Sequence, residues 1–144
     1  MLRQCQKQTP IILIIMSNIN IIGRFFFKLT DNKNLIGEFS NNLSKRNCTE
    51  SADRILEKGN DGTFVGEYFT TWHDQNENGQ NHSCFLTKLE IKRKHENIFS
   101  LIFSLKWWRV QKNGQPEANP FFWGEGILCD GILIGDYRNF DPIK

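Results

Sequence analysis

The sequence predicts an all-β fold with one short helix, arranged as a single antiparallel meander β-barrel of about seven or eight strands. Three observations favour this fold. Apolar and polar residues alternate over long stretches, an Asp-Gly pair separates two apolar runs near the C-terminus, and a glycine-centred phrase recurs three times. Closing the sheet removes its exposed edges, so we prefer the barrel, with a two-sheet β-sandwich as the alternative.

The length of the chain predicts one domain, because 144 residues can bury one core but are too few for two ordinary domains. We assign residues 19–144 to the barrel. Residues 1–18 are expected to be either a disordered segment or an extra strand. The apolar run from Ile11 to Met16 is shorter than a typical signal core and too short to span a bilayer. We therefore expect no membrane association and a cytoplasmic location, with secretion as an open alternative.

Charge and cysteine content argue against several classes of function. The 18 basic and 16 acidic side chains leave a formal charge of +2, which gives no broad attraction to nucleic acid. The four cysteines are widely scattered without a C-x-x-C spacing, and the three histidines do not complete a zinc pattern with them. We expect reduced thiols, no metal site, no cofactor and no nucleic-acid partner.

The first half of the domain is predicted to contain a hairpin followed by a helix. Two apolar stretches, Ile21 to Thr30 and Leu35 to Asn41, flank the turn sequence DNKN. Thr49 can then cap a short helix over Glu50 to Lys58, and Gly59 can end it. This is the only helix that the sequence predicts.

Alternation is clearest in the second half. Phe85 to Arg93 and Ile98 to Trp107 each alternate between apolar and polar residues, and the polar sequence KHEN between them predicts a hairpin turn. Nearer the C-terminus, Asp130-Gly131 supplies the positive φ angles that a two-residue turn requires. The pairs that this turn predicts are Cys129 with Ile132 and Ile127 with Ile134.

The recurrent phrase reads LIGEF at residues 35–39, FVGEY at 64–68 and LIGDY at 133–137. In an extended strand its glycine and its aromatic residue share one face, while its acid points to the other. A glycine inside a strand suits a place where the sheet bends or where another group approaches closely, and the aromatic ring can cover the bare backbone. We interpret the phrase as a geometric requirement of the barrel.

The acids of the phrase, Glu38, Glu67 and Asp136, give an enzyme hypothesis. If their faces lined the interior, three carboxylates would lie inside the barrel with Arg138 as a counter-charge, and at least one pKa would be raised. Apolar residues occupy both faces of these strands, so the pattern does not assign the interior. Solvated carboxylates are the first interpretation, catalysis is an alternative, and no catalytic residue is assigned.

The aromatic residues give a ligand-binding hypothesis. Neighbouring aromatics in a strand must point to opposite faces, so the four tryptophans and twelve phenylalanines cannot all be interior to one thin layer. Some are expected to line a cavity or an intermolecular surface. We assign Trp72, Phe103, Trp107 and Trp123 as apolar walls of a ligand site, with Tyr68 and Glu67 as polar contacts. An exposed patch of Trp108 and Trp123 would instead favour a homodimer or another protein partner.

Both ends of the predicted barrel resemble a known group of proteins. Gly23-Arg24-Phe25 resembles the glycine-x-tryptophan start of lipocalin and avidin-type barrels, the calycins, with Phe in place of Trp. In that group a basic residue after the last strand packs across the aromatic ring, and Arg138 stands where it would be needed. The resemblance implies a lipocalin-like barrel that binds an apolar or amphipathic small molecule without chemistry.

Overall fold

The computed structural model describes residues 20–44, 46–55, 63–75, 82–97 and 99–139. Within these ranges the chain forms eight strands and no helix. The strands are β1 (Ile22–Leu29), β2 (Leu35–Asn41), β3 (Cys48–Arg54), β4 (Gly66–Gln75), β5 (His82–Arg93), β6 (Ile102–Arg109), β7 (Phe122–Cys129) and β8 (Ile132–Arg138). The expectations for residues 1–18 fall outside the described residues.

The eight strands close into an antiparallel barrel. Each strand pairs with the next in sequence, and β8 pairs with β1. The predicted closed meander barrel is therefore confirmed, and the two-sheet sandwich is not the fold. In the part of the chain that the structure describes, no helix is long and apolar enough to cross a membrane.

Alternating side chains divide the inside of the barrel from the outside. On β1, Phe25 and Phe27 are buried in the interior while Arg24, Phe26 and Lys28 face out. The other strands repeat this division because a strand inside a closed sheet can turn only every second side chain inward.

The two-residue turn between β7 and β8 forms as predicted. Asp130 and Gly131 have φ angles of 49° and 78°, the left-handed values that a primed turn requires. The register pairs Cys129 with Ile132 and Ile127 with Ile134. The DNKN turn also joins its predicted strands, β1 and β2.

The helix predicted over Glu50 to Lys58 is wrong for residues 50–54, which belong to β3, while residues 56–58 lie outside the described part of the chain. The strand pairs with β2 on one side and β4 on the other. Its inward side chains are those of Cys48, Glu50, Ala52 and Arg54. Pairing on both sides overrides the local helix preference, because strand formation depends on context more than on intrinsic propensity.

The β5–β6 connection is longer than the predicted turn. Strand β6 begins at Ile102, and Phe99 and Leu101, expected to be in this strand, are 82% and 54% exposed before it. The Lys94 amide donates to the Ile102 carbonyl at 3.0 Å and closes the loop. Within the loop, a local turn forms as the Ser100 amide donates to the Asn97 carbonyl at 2.9 Å. Local hydrogen bonds thus replace strand pairing in the first part of the alternating stretch.

Glycines mark places where strands approach closely. A Cβ atom at Gly135 would collide with the carbonyl oxygen of Glu125 on the neighbouring strand β7. A Cβ atom at Gly23 would collide with the ring of Tyr137, its cross-strand partner on β8. An aromatic ring of the recurrent phrase therefore covers bare glycine backbone, but the glycine is Gly23 on the neighbouring strand and not the glycine of the phrase itself.

One half of the barrel interior is filled by side chains. Residues whose side chains are almost completely buried there include Phe27, Leu35, Tyr68, Leu89, Ile91, Phe103, Leu105 and Leu133. They come from the ends of β1 and β5 and from the starts of β2, β4, β6 and β8. This half leaves the opposite end of the barrel as the place for a cavity.

The guanidinium of Arg54 closes the filled half. It donates hydrogen bonds of 2.5–3.0 Å, and its acceptors are the backbone oxygens of Lys33, Thr63 and Val65 and the hydroxyl of Tyr68. The same guanidinium lies 4.9 Å from the centroid of the Tyr68 ring. Because a buried cation is costly unless it is hydrogen-bonded, this set of acceptors is what makes Arg54 tolerable inside the barrel.

Candidate functional site

A cavity of about 60 Å³ opens at the end of the barrel opposite Arg54. Its walls are Phe39, Glu50, Trp72, Trp107, Phe122 and Tyr137, and residues Ile21, Asn41 and Leu43 complete its lining. The wall residues come from the ends of β2, β4, β6 and β8 and from the starts of β3 and β7. In an antiparallel barrel these strand ends meet at one rim, so residues far apart in sequence share one site.

Glu50 is the buried polar group of this cavity, with only 6% of its surface exposed. The indole Nε1 of Trp107 donates to its Oε1 at 3.0 Å, and the side chain of Thr70 also hydrogen-bonds to it. The hydroxyls of Thr70 and Thr87 lie 2.5 Å apart and continue the network into β5. A carboxylate is thus held inside the barrel by neutral hydrogen-bond donors.

Burial raises the pKa of Glu50 from its ordinary value of 4.5 to about 7. The cause is desolvation, because the interior disfavours the charged form. The hydrogen bonds from Thr70 and Trp107 act in the opposite direction and hold the pKa lower than burial alone would set it. The carboxyl group is therefore poised to change its charge near neutral pH.

Aromatic contacts fix the walls around Glu50. The rings of Trp72 and Phe85 stack with centroids 3.9 Å apart, and Phe39 meets Trp72 edge-on at 5.4 Å. On the other side, Phe122 meets Tyr137 edge-on at 5.2 Å. Such pairs hold large rings in defined orientations, so the cavity is preformed by the strands that carry them.

The mouth of the cavity is braced by Asn41. Its Nδ2 donates to the hydroxyl of Tyr137 at 3.0 Å, and its Oδ1 accepts from the amides of Leu43 and Ser44 at 2.9 Å. These bonds tie the β2–β3 loop to β8 across the start of β1. Leu43 is 51% exposed while it lines the cavity, so the cavity reaches the protein surface there.

The structure separates the six predicted ligand contacts into three groups. Trp72 and Trp107 line the cavity. Tyr68 and Phe103 lie inside the barrel but in its filled half, away from the cavity. Trp123 lies on the outer face opposite Lys106 and Arg138, and Glu67 lies on the outer face beside Lys88. Neither outer residue faces the cavity.

The three acids of the recurrent phrase do not converge. Glu67 forms an ion pair of 2.9 Å with Lys88, and the Oε2 of Glu38 accepts a hydrogen bond of 3.3 Å from Asn47. Asp136 is exposed, and strand β1 separates it from Glu38 by two strand spacings, about 10 Å. The hypothesis of an interior cluster of three carboxylates is therefore wrong, and all three acids lie on the outer face of the barrel.

The interior carboxylate is instead Glu50, which sequence reasoning placed at the start of a helix. One signal for it was present, since Cys48, Glu50, Ala52 and Arg54 alternate with polar residues at a period of two. This period was hidden because two of the four inward residues are charged, and charged residues are seldom fully buried. Thr70 and Thr87 carried no signal that separates them from other strand threonines.

The contact expected between Arg138 and Phe25 is absent from the described structure. Arg138 pairs with Ile22 and Trp123 on the outer face, whereas Phe25 points into the barrel. Cations do lie over interior rings, but the pairs are Arg54 over Tyr68 and Arg93 over Phe103. The closed antiparallel barrel is compatible with the resemblance at the termini, but this contact is not found.

No protein-family model matches the chain, and comparison with curated proteins and with solved structures found no significant match. Among the described residues, no group of three or more His, Cys, Asp or Glu side chains is placed to hold a metal ion. The cavity, its aromatic walls and Glu50 are therefore the features from which a function can be argued.

Proposed function

We propose that the protein binds an amphipathic small molecule at the open end of the barrel and does not catalyse a reaction on it. The observation that carries this proposal is a buried carboxyl group, Glu50, facing a cavity whose other walls are aromatic. Ligand sites typically combine apolar walls with a few placed polar groups that fix orientation. A closed eight-strand meander is compatible with a calycin-like, ligand-binding barrel, and this likeness is part of the proposal.

The size of the cavity limits how the ligand is held. A volume of about 60 Å³ corresponds to about four to six water-sized spheres. It accommodates a head group of a few heavy atoms. The apolar remainder of the molecule then lies at the mouth, against the exposed side chain of Leu43.

Native mass spectrometry of freshly purified protein, compared with the same sample after denaturation, tests this proposal. Extra mass that leaves on denaturation supports a retained ligand. A bare protein is then titrated with small amphiphiles while tryptophan fluorescence is recorded, because Trp72 and Trp107 line the cavity. The proposal would be rejected if the protein retained no extra mass and no amphiphile produced a saturable change in fluorescence.

A second candidate function is self-association, favoured by apolar residues on the outer face. Cross-strand pairing aligns Ile102 with Ile127, Ile127 with Ile134, and Ile134 with Phe26, so four exposed apolar side chains form one row across four strands. Contiguous exposed apolar surface is typical of interaction sites. We propose a second copy of this chain as the partner, and light scattering of the wild type and of Ile127→Lys tests it. A dimer that the substitution leaves intact would reject this surface.

A further inference from the structure

The cavity carries one carboxyl group and no basic side chain among its described lining residues. Glu50 is held by the indole of Trp107 and the hydroxyl of Thr70, and both of these partners are neutral. A buried carboxylate without a counter-charge is costly. A ligand that supplies a positive charge would remove this cost.

We propose that the site selects molecules with a protonated amine head group, which Glu50 receives inside the aromatic walls. This inference rests on the proposed ligand-binding function and names its ligand class. The ligand is an alkyl or aryl amine whose ammonium group enters the cavity and whose apolar part remains at the mouth.

The hydrogen-bonding capacity of Glu50 fits an ammonium group. An ionised carboxylate offers about four acceptor positions, and the contacts from Trp107 and Thr70 use two of them. An ammonium group brings three donors on one small nitrogen, so it can meet the remaining positions in a cavity of this size. The charge-assisted bonds that result are stronger than those of a neutral head group.

The aromatic walls also favour a cation. The faces of tryptophan and tyrosine rings carry partial negative charge and attract ammonium groups within about 6 Å. Trp72, Trp107, Tyr137, Phe39 and Phe122 surround the space into which Glu50 faces. An anionic head group would meet both this negative surface and the carboxylate.

Ionisation of Glu50 links amine binding to pH. Tyr137 on β8 is the other titratable residue in the described lining of the cavity. By strand alternation Cys48 lies on the same inward face of β3 as Glu50, and Arg109 on the same face of β6 as Trp107. The guanidinium of Arg109 packs over Phe121, 5.1 Å from its ring centroid, and is not part of the cavity lining. An alkylamine remains protonated below about pH 10, so the change in charge near pH 7 belongs to Glu50.

Three six-carbon probes that differ in head-group charge test the inference. Isothermal titration calorimetry at pH 8 compares hexylamine, hexanol and hexanoate. We expect hexylamine to bind at least about tenfold more tightly than either of the others, as a charged hydrogen bond predicts. Its affinity should fall about tenfold between pH 8 and pH 6 as Glu50 gains a proton.

The variant Glu50→Gln removes the charge and keeps the side-chain size. It should weaken hexylamine binding by about tenfold or more and abolish the dependence on pH between 6 and 8. Glu67→Gln is the matched control, because this acid lies on the outer face paired with Lys88 and should leave hexylamine affinity unchanged. If Glu50→Gln does not fold, the pH series on the unmodified protein decides.

The outcomes separate the inference from the function on which it rests. If hexanol or hexanoate binds as tightly as hexylamine, or if hexylamine affinity does not depend on Glu50 or on pH, the ligand site stands and its preference for amines is overturned. A hexanoate affinity that rises as the pH falls would assign a neutral Glu50 to an acidic ligand instead. If none of the three probes binds, the proposed function fails together with the inference.

Discussion

The indole of Trp107 on β6 donates a 3.0 Å hydrogen bond to the carboxyl group of Glu50 on β3, 57 residues away in sequence. The bond crosses the open end of the barrel and joins two strands that are not neighbours in the sheet. It places an ionisable group and a large ring of the same cavity in a fixed relation.

Stability should depend on the charge of Glu50. Its pKa is about 7 in the folded protein and 4.5 ordinarily, so between these values the folded state binds the proton more tightly than the unfolded state. The protonated Glu50 therefore adds to the free energy of unfolding. This contribution is fully present below pH 4.5 and is lost as the pH rises through 7, by about 3 kcal/mol in total. Urea denaturation from pH 4 to 8 should show this decline in the wild type and a smaller one in Glu50→Gln. Parallel stability curves for the two proteins would contradict the buried charge.

Removing the indole N–H should raise the pKa of Glu50 further, because that hydrogen bond favours the ionised form. Trp107→Phe keeps a ring in the cavity and deletes the donor. We expect a cost of about 1–3 kcal/mol in the free energy of unfolding at pH 8, where the carboxylate is charged. Carbon NMR of the Glu50 carboxyl group measures the pKa directly. Trp123→Phe on the outer face is the control and should leave that pKa unchanged.

Arg54 should be essential for the stability of the filled half of the barrel. Arg54→Met keeps much of the side-chain volume but leaves the backbone oxygens of Lys33, Thr63 and Val65 without this donor. Unmet buried acceptors cost about 1–3 kcal/mol each, so we expect a loss of about 3 kcal/mol or more in urea denaturation. Arg24→Met, at an exposed position of β1, should change stability by no more than about 0.5 kcal/mol. Equal effects of the two substitutions would refute the proposed role.

Two glycine substitutions should separate close approach from turn geometry. Gly135→Ala places a methyl group against the Glu125 carbonyl and should cost about 1–3 kcal/mol through displacement of β7. Gly131→Ala meets no atom within 4 Å but must keep a φ of 78°, which costs about 1–2 kcal/mol. Amide hydrogen exchange should show faster exchange along β7 and β8 for Gly135→Ala and only near the turn for Gly131→Ala. The reverse distribution would show that the assignment is wrong.

The barrel was predictable because its signals are local. Alternation on β5 and β6 and the Asp130-Gly131 turn predict strands and hairpins without knowledge of the rest of the chain. Strand β3 was not predictable in this way. Its residues favour a helix N-terminus locally, and only pairing with β2 and β4 makes them a strand.

The site was partly predictable because large rings in strands tend to be interior, and Trp72 and Trp107 do line the cavity. Which acid lies inside the barrel depends on which face of its strand points inward once the sheet has closed. The sequence favoured Glu67 as the polar contact, yet Glu67 pairs with Lys88 on the outer face. Glu50, which was expected in a helix, is the acid buried inside. Apolar residues on both faces of β4 leave this choice open until the register is known.

The described interior of the barrel opens to the surface at one end only, beside Leu43, because side chains fill the half around Arg54. A ligand bound as proposed would enter and leave by the same opening, because the other end of the described interior is filled. Its apolar tail would stay outside the barrel, in contact with solvent.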